Sequence, residues 1–109
     1  MKRITSGIIL TILQTSALIW IVGIQPVKAA TITVPVDYTT IQGAINAARD
    51  EDTINVKAGT YYENVIINKK VSLVGEDKGT TIIDASGNGD VVRITSTADT
   101  ANISSFTLR

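Results

Sequence analysis

Residues 52–75 read DTINVKAGTYYENVIINKKVSLVG, and how this stretch folds decides the architecture of the chain. Short β-branched runs, Thr53 to Val56, Val65 to Ile67 and Val71 to Val74, alternate apolar and polar positions with period two. Polar turns separate them, and none is a two-residue Asn-Gly or Asp-Gly loop of the kind that closes a hairpin. Each run is too short for a good hairpin arm. Between the first two lies Gly59-Thr60-Tyr61-Tyr62-Glu63-Asn64. Its carboxylate is either catalytic or part of a corner.

The same pattern continues downstream in Thr81 to Ile83, Val91 to Ile94 and Ile103 to Leu108. As a group the runs repeat: Thr53-Ile54 returns at Thr81-Ile82, Val65 to Ile67 at Val92 to Ile94, and Val71-Ser72 at Ile103-Ser104, with offsets of 28, 27 and 32 residues. A loose period in this range, with three short strands per period, predicts a stacked coil of parallel strands whose inward Ile, Val and Leu side chains lie above one another.

Upstream the period becomes helical. Ile41, Ala44, Ile45 and Ala48 fall at i, i+3, i+4 and i+7 and form one apolar stripe. Thr39 or Thr40 caps the start, and the helix ends near Arg49, where Asp50-Glu51-Asp52 opens an acidic turn. A short helix with one apolar stripe and a polar back suits a lid over another element's core.

The first 29 residues read as a signal peptide. Lys2-Arg3 is a basic start, Gly7 to Ile24 is largely apolar, Pro26 breaks any helix, and Val27-Lys28-Ala29 offers a V-x-A site for cleavage after Ala29. The alternative is an uncleaved anchor, since a membrane span needs roughly 20 apolar residues. Both place residues 30–109 outside the cytoplasm, secreted or at the cell surface. That segment carries seven basic and ten acidic side chains, a net charge of −3, which argues against nucleic acid as a partner. It has no Cys, so disulfides and thiol chemistry are unavailable.

Tyr38-Thr39-Thr40-Ile41-Gln42, Ala44-Ile45, Ala47-Ala48, Asp52-Thr53-Ile54-Asn55-Val56, Gly59-Thr60-Tyr61, Glu63-Asn64-Val65 and Leu73-Val74-Gly75 together resemble the start of the right-handed parallel β-helix superfamily of pectin-lyase-like proteins. The resemblance covers nearly all of residues 31–109. It implies an all-β fold, with about two coils of a right-handed parallel β-helix and an N-terminal amphipathic capping helix. The superfamily holds esterases, lyases and many non-catalytic surface proteins, so the fold alone leaves the activity open.

Several residues are candidates for chemistry. The Gly59-x-Tyr61-x-Glu63-Asn64 pattern is similar to one in pectin methylesterases, whose catalytic Gln, Asp and Arg residues lie on later coils. Glu63 is therefore expected to be a turn residue, with Gly59 supplying a backbone conformation that a side chain forbids and Tyr61 covering the edge of the core. Asp84-Ala85-Ser86-Gly87-Asn88-Gly89-Asp90 spaces its oxygen-bearing residues like a calcium loop, but Thr95 at the twelfth place cannot give a bidentate carboxylate; a turn between coils is the preferred reading. Gly75-Glu76-Asp77-Lys78-Gly79 lacks phosphate-loop spacing and reads as a turn. Some relatives of this fold are described as copper-protein accessory factors, yet residues 30–109 have no His, Cys or Met, the ligands copper prefers, and a Ser-His-Asp triad is impossible. The asparagines at 55, 64, 68, 88 and 102 are placed to stack as a ladder in the turns.

The resulting expectation is an exported, carbohydrate-associated β-helix scaffold that is not an enzyme, with no catalytic, cofactor-binding or metal residues of its own. The alternative is the N-terminal part of a pectinesterase-like or lyase-like carbohydrate-active enzyme. Expected partners are polysaccharide or cell-envelope components, and either later coils of a longer β-helix or a second copy met through the uncapped C-terminal end.

Overall fold

The computed structural model describes residues 28–109. Most of the stretch read as a signal peptide, residues 1–27, lies outside the described residues, as does the apolar run of the anchor alternative. Among the described residues no helix is long and apolar enough to cross a membrane.

The elements run β1 (Thr31–Val34), α1 (Ile41–Ala47), β2 (Thr53–Val56), β3 (Gly59–Tyr61), β4 (Val65–Ile67), β5 (Ser72–Gly75), β6 (Thr81–Ile83), β7 (Val92–Ile94), a 3-10 turn (Ser96–Ala98), β8 (Asn102–Ser104) and β9 (Thr107–Leu108). They form three sheets, of order β1-β2-β5-β8, β3-β6-β9 and β4-β7. Every pairing is parallel. Each of β2 to β6 pairs with the strand three places later in the chain. The described residues are thus mostly β, with parallel sheets and one α-helix.

The alternation seen in the sequence places the core. Ile54 and Val56 of β2 are buried and Asn55 is exposed; Val65 and Ile67 of β4 are buried and Ile66 is exposed. In the four-stranded sheet the register aligns Ile32, Ile54, Leu73 and Ile103 in one row. Ile41, Ala44 and Ile45 of α1 join the same apolar cluster as Val34, Ile54, Val65 and Ile67. Fully burying a side chain of this size contributes about 1.5–3 kcal/mol, so these rows hold the strands in place despite their three- or four-residue length.

Two expectations about the strands need correction. Thr31–Val34 and Gly59–Tyr61 are strands that the repeat did not include, and Ile103 to Leu108 is two strands joined at Ser105, whose φ is +65°. Gly59–Tyr61 has no buried residue and pairs on one side with β6, so it carries no apolar alternation to read. The register also differs. Thr53 pairs with Ser72, Thr81 with Gly59, and Leu73 with Ile103. Only Val65 to Ile67 against Val92 to Ile94 falls as the repeat places it. The turns differ in length from one sheet to the next, so a single period cannot align all three.

Candidate functional site

Thr40, Glu63 and Lys69 converge on the two ends of α1. Ile41 N donates to Glu63 Oε2 (2.9 Å) and Gln42 N to Glu63 Oε1 (3.0 Å). Gly43 N donates to Thr40 Oγ1 (3.0 Å), and Ala44 N to the Thr40 carbonyl (3.2 Å). The Ala44 bond is the first of the helix's own, and the preceding N–H groups of Ile41, Gln42 and Gly43, which have no partner within the helix, are satisfied by side chains; the carboxylate lies at the positive end of the helix dipole. Glu63 is thus neither a free acid nor a simple turn residue. Its two oxygens fasten the corner after β3 to the helix.

Gln42 performs a second task. Its Oε1 accepts from Ile66 N (2.8 Å) and its Nε2 donates to the Ile66 carbonyl (3.1 Å), while Nε2 also reaches Asn46 Oδ1 (3.1 Å). A side-chain amide here makes the two bonds that a neighbouring strand residue would make, and so closes the edge of β4. At the other end of the helix, Lys69 Nζ donates to the carbonyls of Asn46 (2.8 Å) and Ala48 (2.6 Å). A cation at a helix C-terminus is the favourable sign.

Asp52 anchors the turn after the helix. Oδ2 accepts from Arg49 N (2.9 Å) and Oδ1 from Ala30 N (2.8 Å), with the residue 6% exposed. These two bonds, first Arg49's and then Ala30's, hold its carboxyl below the usual aspartate range, and the charges of Arg49 and Lys69 act in the same direction. Tyr61 covers the core edge as its position implies, donating its hydroxyl to the Lys57 carbonyl (2.8 Å). Burial pushes this hydroxyl's pKa up, and the Glu63 and Glu76 carboxylates add to the shift. Gly59 has φ +150°, a conformation that favours glycine.

The Asp84 to Asp90 segment is the turn between β6 and β7. Asp84 accepts from Ser86 N (2.7 Å) and pairs with Arg109 Nε (3.1 Å), which together lower its pKa. Asp90 pairs with Arg93 Nη2 at 3.3 Å. Among the described residues no three His, Cys, Asp or Glu side chains gather to hold a metal ion. Gly75 ends β5 rather than opening a loop: a Cβ there would overlap the Ser105 carbonyl oxygen and lie 3.2 Å from Thr81 Cβ.

The asparagine ladder is not formed. Asn55 pairs in register with Val74, and Asn64 Nδ2 bonds the backbone carbonyls of Asn88 (2.6 Å) and Asp90 (2.8 Å) instead of another amide. Asn55 lies within β2 and Asn102 opens β8, where it pairs in register with Ser72, so these two are not in turns.

Outside this network, the outer face of the four-stranded sheet carries a depression of about 250 Å³ lined by Thr33, Asn55, Lys57, Val74 and Glu76 among others.

No family model matches the chain, and no solved structure matches it. Among curated proteins it is similar to Pectinesterase 2 of Arabidopsis thaliana, with 39% identity over 59 residues, 48% of this chain and 10% of the relative. The match therefore spans a small part of an enzyme. It overturns the expectation that the chain is not an enzyme, since the similarity found is to an esterase and gives the non-catalytic reading no support. That expectation followed from the lack of partners for Glu63. The bonds to Ile41 and Gln42 explain what Glu63 does, but say nothing about activity elsewhere.

Proposed function

We propose that this chain is the capped beginning of an exported, pectinesterase-like right-handed parallel β-helix that acts on a pectin-type polysaccharide. In this reading residues 1–29 direct export, α1 closes the first end, and β2-β3-β4, β5-β6-β7 and β8-β9 are successive coils. The observation that carries the reading is the 39% identity to a pectinesterase, supported by a strand order in which each of β2 to β6 pairs in parallel with the strand three places on.

The depression beside Thr33, Asn55 and Lys57 offers hydroxyl, amide and ammonium groups on a surface of parallel strands. Those are groups that bond sugar hydroxyls, and its Val74 supplies an apolar contact for a ring face. The net charge of −3 on residues 30–109 favours a methyl-esterified, neutral polymer over the polyanion left after de-esterification. Affinity electrophoresis through gels containing methyl-esterified pectin, de-esterified pectin or dextran tests this. Retardation should be strongest with the esterified polymer, and methanol release measured in parallel reports turnover. Equal migration in all three gels, with no methanol, would count against the proposal.

A further inference from the structure

Ala30 is held on both sides. Its N–H donates to Asp52 Oδ1 (2.8 Å) and its carbonyl accepts from Thr53 N (2.9 Å). Lys28 and Ala29 before it are exposed and outside any element, and β1 begins one residue later. Among the described residues, the hydrogen bonds of the fold begin at Ala30. The carboxylate that receives this nitrogen is nearly buried, at 6% exposure. Its other oxygen is occupied by Arg49 N, and its backbone carbonyl accepts from Ser72 N (3.0 Å).

We propose that Asp52 is a built receptor for the chain's own α-ammonium, which is created when a signal peptidase cuts between Ala29 and Ala30. The inference rests on the export reading and adds a consequence to it. Water hydrolyses the Ala29–Ala30 amide: the C–N bond breaks, the hydroxyl goes to the Ala29 acyl carbon, and the products are the Ala29 carboxylate and the Ala30 ammonium. The nitrogen that donated to the Asp52 carboxylate as an uncharged amide becomes a cation at the same place. The amide bond to the ionised carboxylate is already charge-assisted, and the ammonium turns it into an ion pair, which salt screens on the exposed Ala30 side and less on the side of the buried Asp52. Processing therefore strengthens the attachment of β1 to β2 and, through Asp52, to the turn that follows α1. Uncut chain keeps only the bond from an uncharged donor.

The charges around Asp52 set how far the effect reaches. Arg49 and Lys69 are the cations that act on its carboxylate, and Asp50 and Glu51 precede it in its own turn. The ammonium thus enters a site where one buried carboxylate is already held ionised. The two cations oppose it, while direct contact at hydrogen-bond distance outweighs their more distant charge.

The test uses the product exported from the full-length chain. Tryptic cleavage after Arg49 releases residues 30–49, which contain no Lys, so the α-amine is the single acylable amine of that peptide. Trace labelling with acetic anhydride across pH 6 to 11, read by mass spectrometry, gives its pKa in the folded protein and in urea. The folded value should lie at least about one unit above the urea value, which is expected near 7.7–8.0, a tenfold or greater shift in favour of the charged form. Asp52→Asn should abolish the difference. If that variant does not accumulate, the comparison of folded with urea-treated wild type still decides. A correctly cut chain whose folded amine titrates as it does in urea overturns the pairing and leaves export standing. A product whose first residue is not Ala30 overturns both the cleavage position and the pairing.

Discussion

The Glu63 carboxylate spans the first two N–H groups of α1, taking Ile41 N on one oxygen and Gln42 N on the other. Residues 22 and 21 positions apart in sequence are joined by this contact. A seven-residue helix is far below the length at which a helix is stable alone, so α1 depends on its apolar stripe and on such bonds.

Glu63→Ala should therefore destabilise the fold by about 1–2 kcal/mol, the upper part of the range for losing a helix N-cap. Glu63→Gln, which keeps an acceptor for one N–H and loses the charge, should cost about half as much. For a domain of this size the melting temperature falls roughly 4–8 °C per kcal/mol. Thermal unfolding of both variants measures it. Unchanged melting in Glu63→Ala would show that the carboxylate is not holding the helix.

Gln42 separates two roles of an amide. Gln42→Ala removes both bonds to Ile66 but leaves that strand edge open to water, so the expected loss is about 1 kcal/mol. Gln42→Glu still accepts from Ile66 N, yet it presents a carboxylate oxygen to the Ile66 carbonyl and adds a second negative charge beside Glu63. The helix dipole returns about 0.3–1 kcal/mol to a charge in the first turn. The lost donor and the repulsion exceed it, so Gln42→Glu should be at least as damaging as Gln42→Ala. Urea unfolding midpoints give the order, and a Glu variant as stable as wild type would mean that the amide is not substituting for a strand.

Gly75→Ala tests the corner between β8 and β9. The new methyl group would meet the Ser105 carbonyl, which is backbone and cannot swing aside. Overpacking typically costs about 1–3 kcal/mol. The damage should be local: amide exchange should accelerate over residues 102–108, while Ile45 and Ala48 stay protected. Uniform loss of protection across the chain would contradict a corner-specific effect.

These residues also show what was legible in the sequence. The buried Ile and Val positions of β2 and β4 could be read because period-two alternation is a direct record of which face is buried. The helix could be read because Ile41, Ala44 and Ile45 keep period 3.6 and all three are buried. The roles of Gln42, Glu63 and Lys69 could not. Each bonds backbone atoms more than 20 residues away, and no local spacing announces such a partner. Gly59–Tyr61 was missed because it has no buried face. The register was misread because 19 residues separate Thr53 from Ser72, while 27 separate Val65 from Val92.

The lowered pKa of Asp52 predicts how stability depends on acidity. A carboxyl whose folded pKa lies below its unfolded value contributes stability that is fully present above the unfolded value, near 3.8 here, and is lost as pH falls through the folded value. Protonation removes the charge that holds Arg49 N and Ala30 N, and so loosens β1 and the end of α1 together. Asp84, with Ser86 N and Arg109 as partners, has its pKa lowered in the same direction and should lose stability over the same acid range. The wild-type urea midpoint should thus be flat from pH 5 to pH 7 and fall steadily below pH 4. Asp52→Asn should start lower at pH 6 and fall less steeply, because one of the two linked protons is gone; the double variant with Asp84→Asn should be flatter still. Parallel acid limbs in wild type and Asp52→Asn would show that Asp52 has the same pKa folded and unfolded, and that its two backbone bonds do not hold its charge.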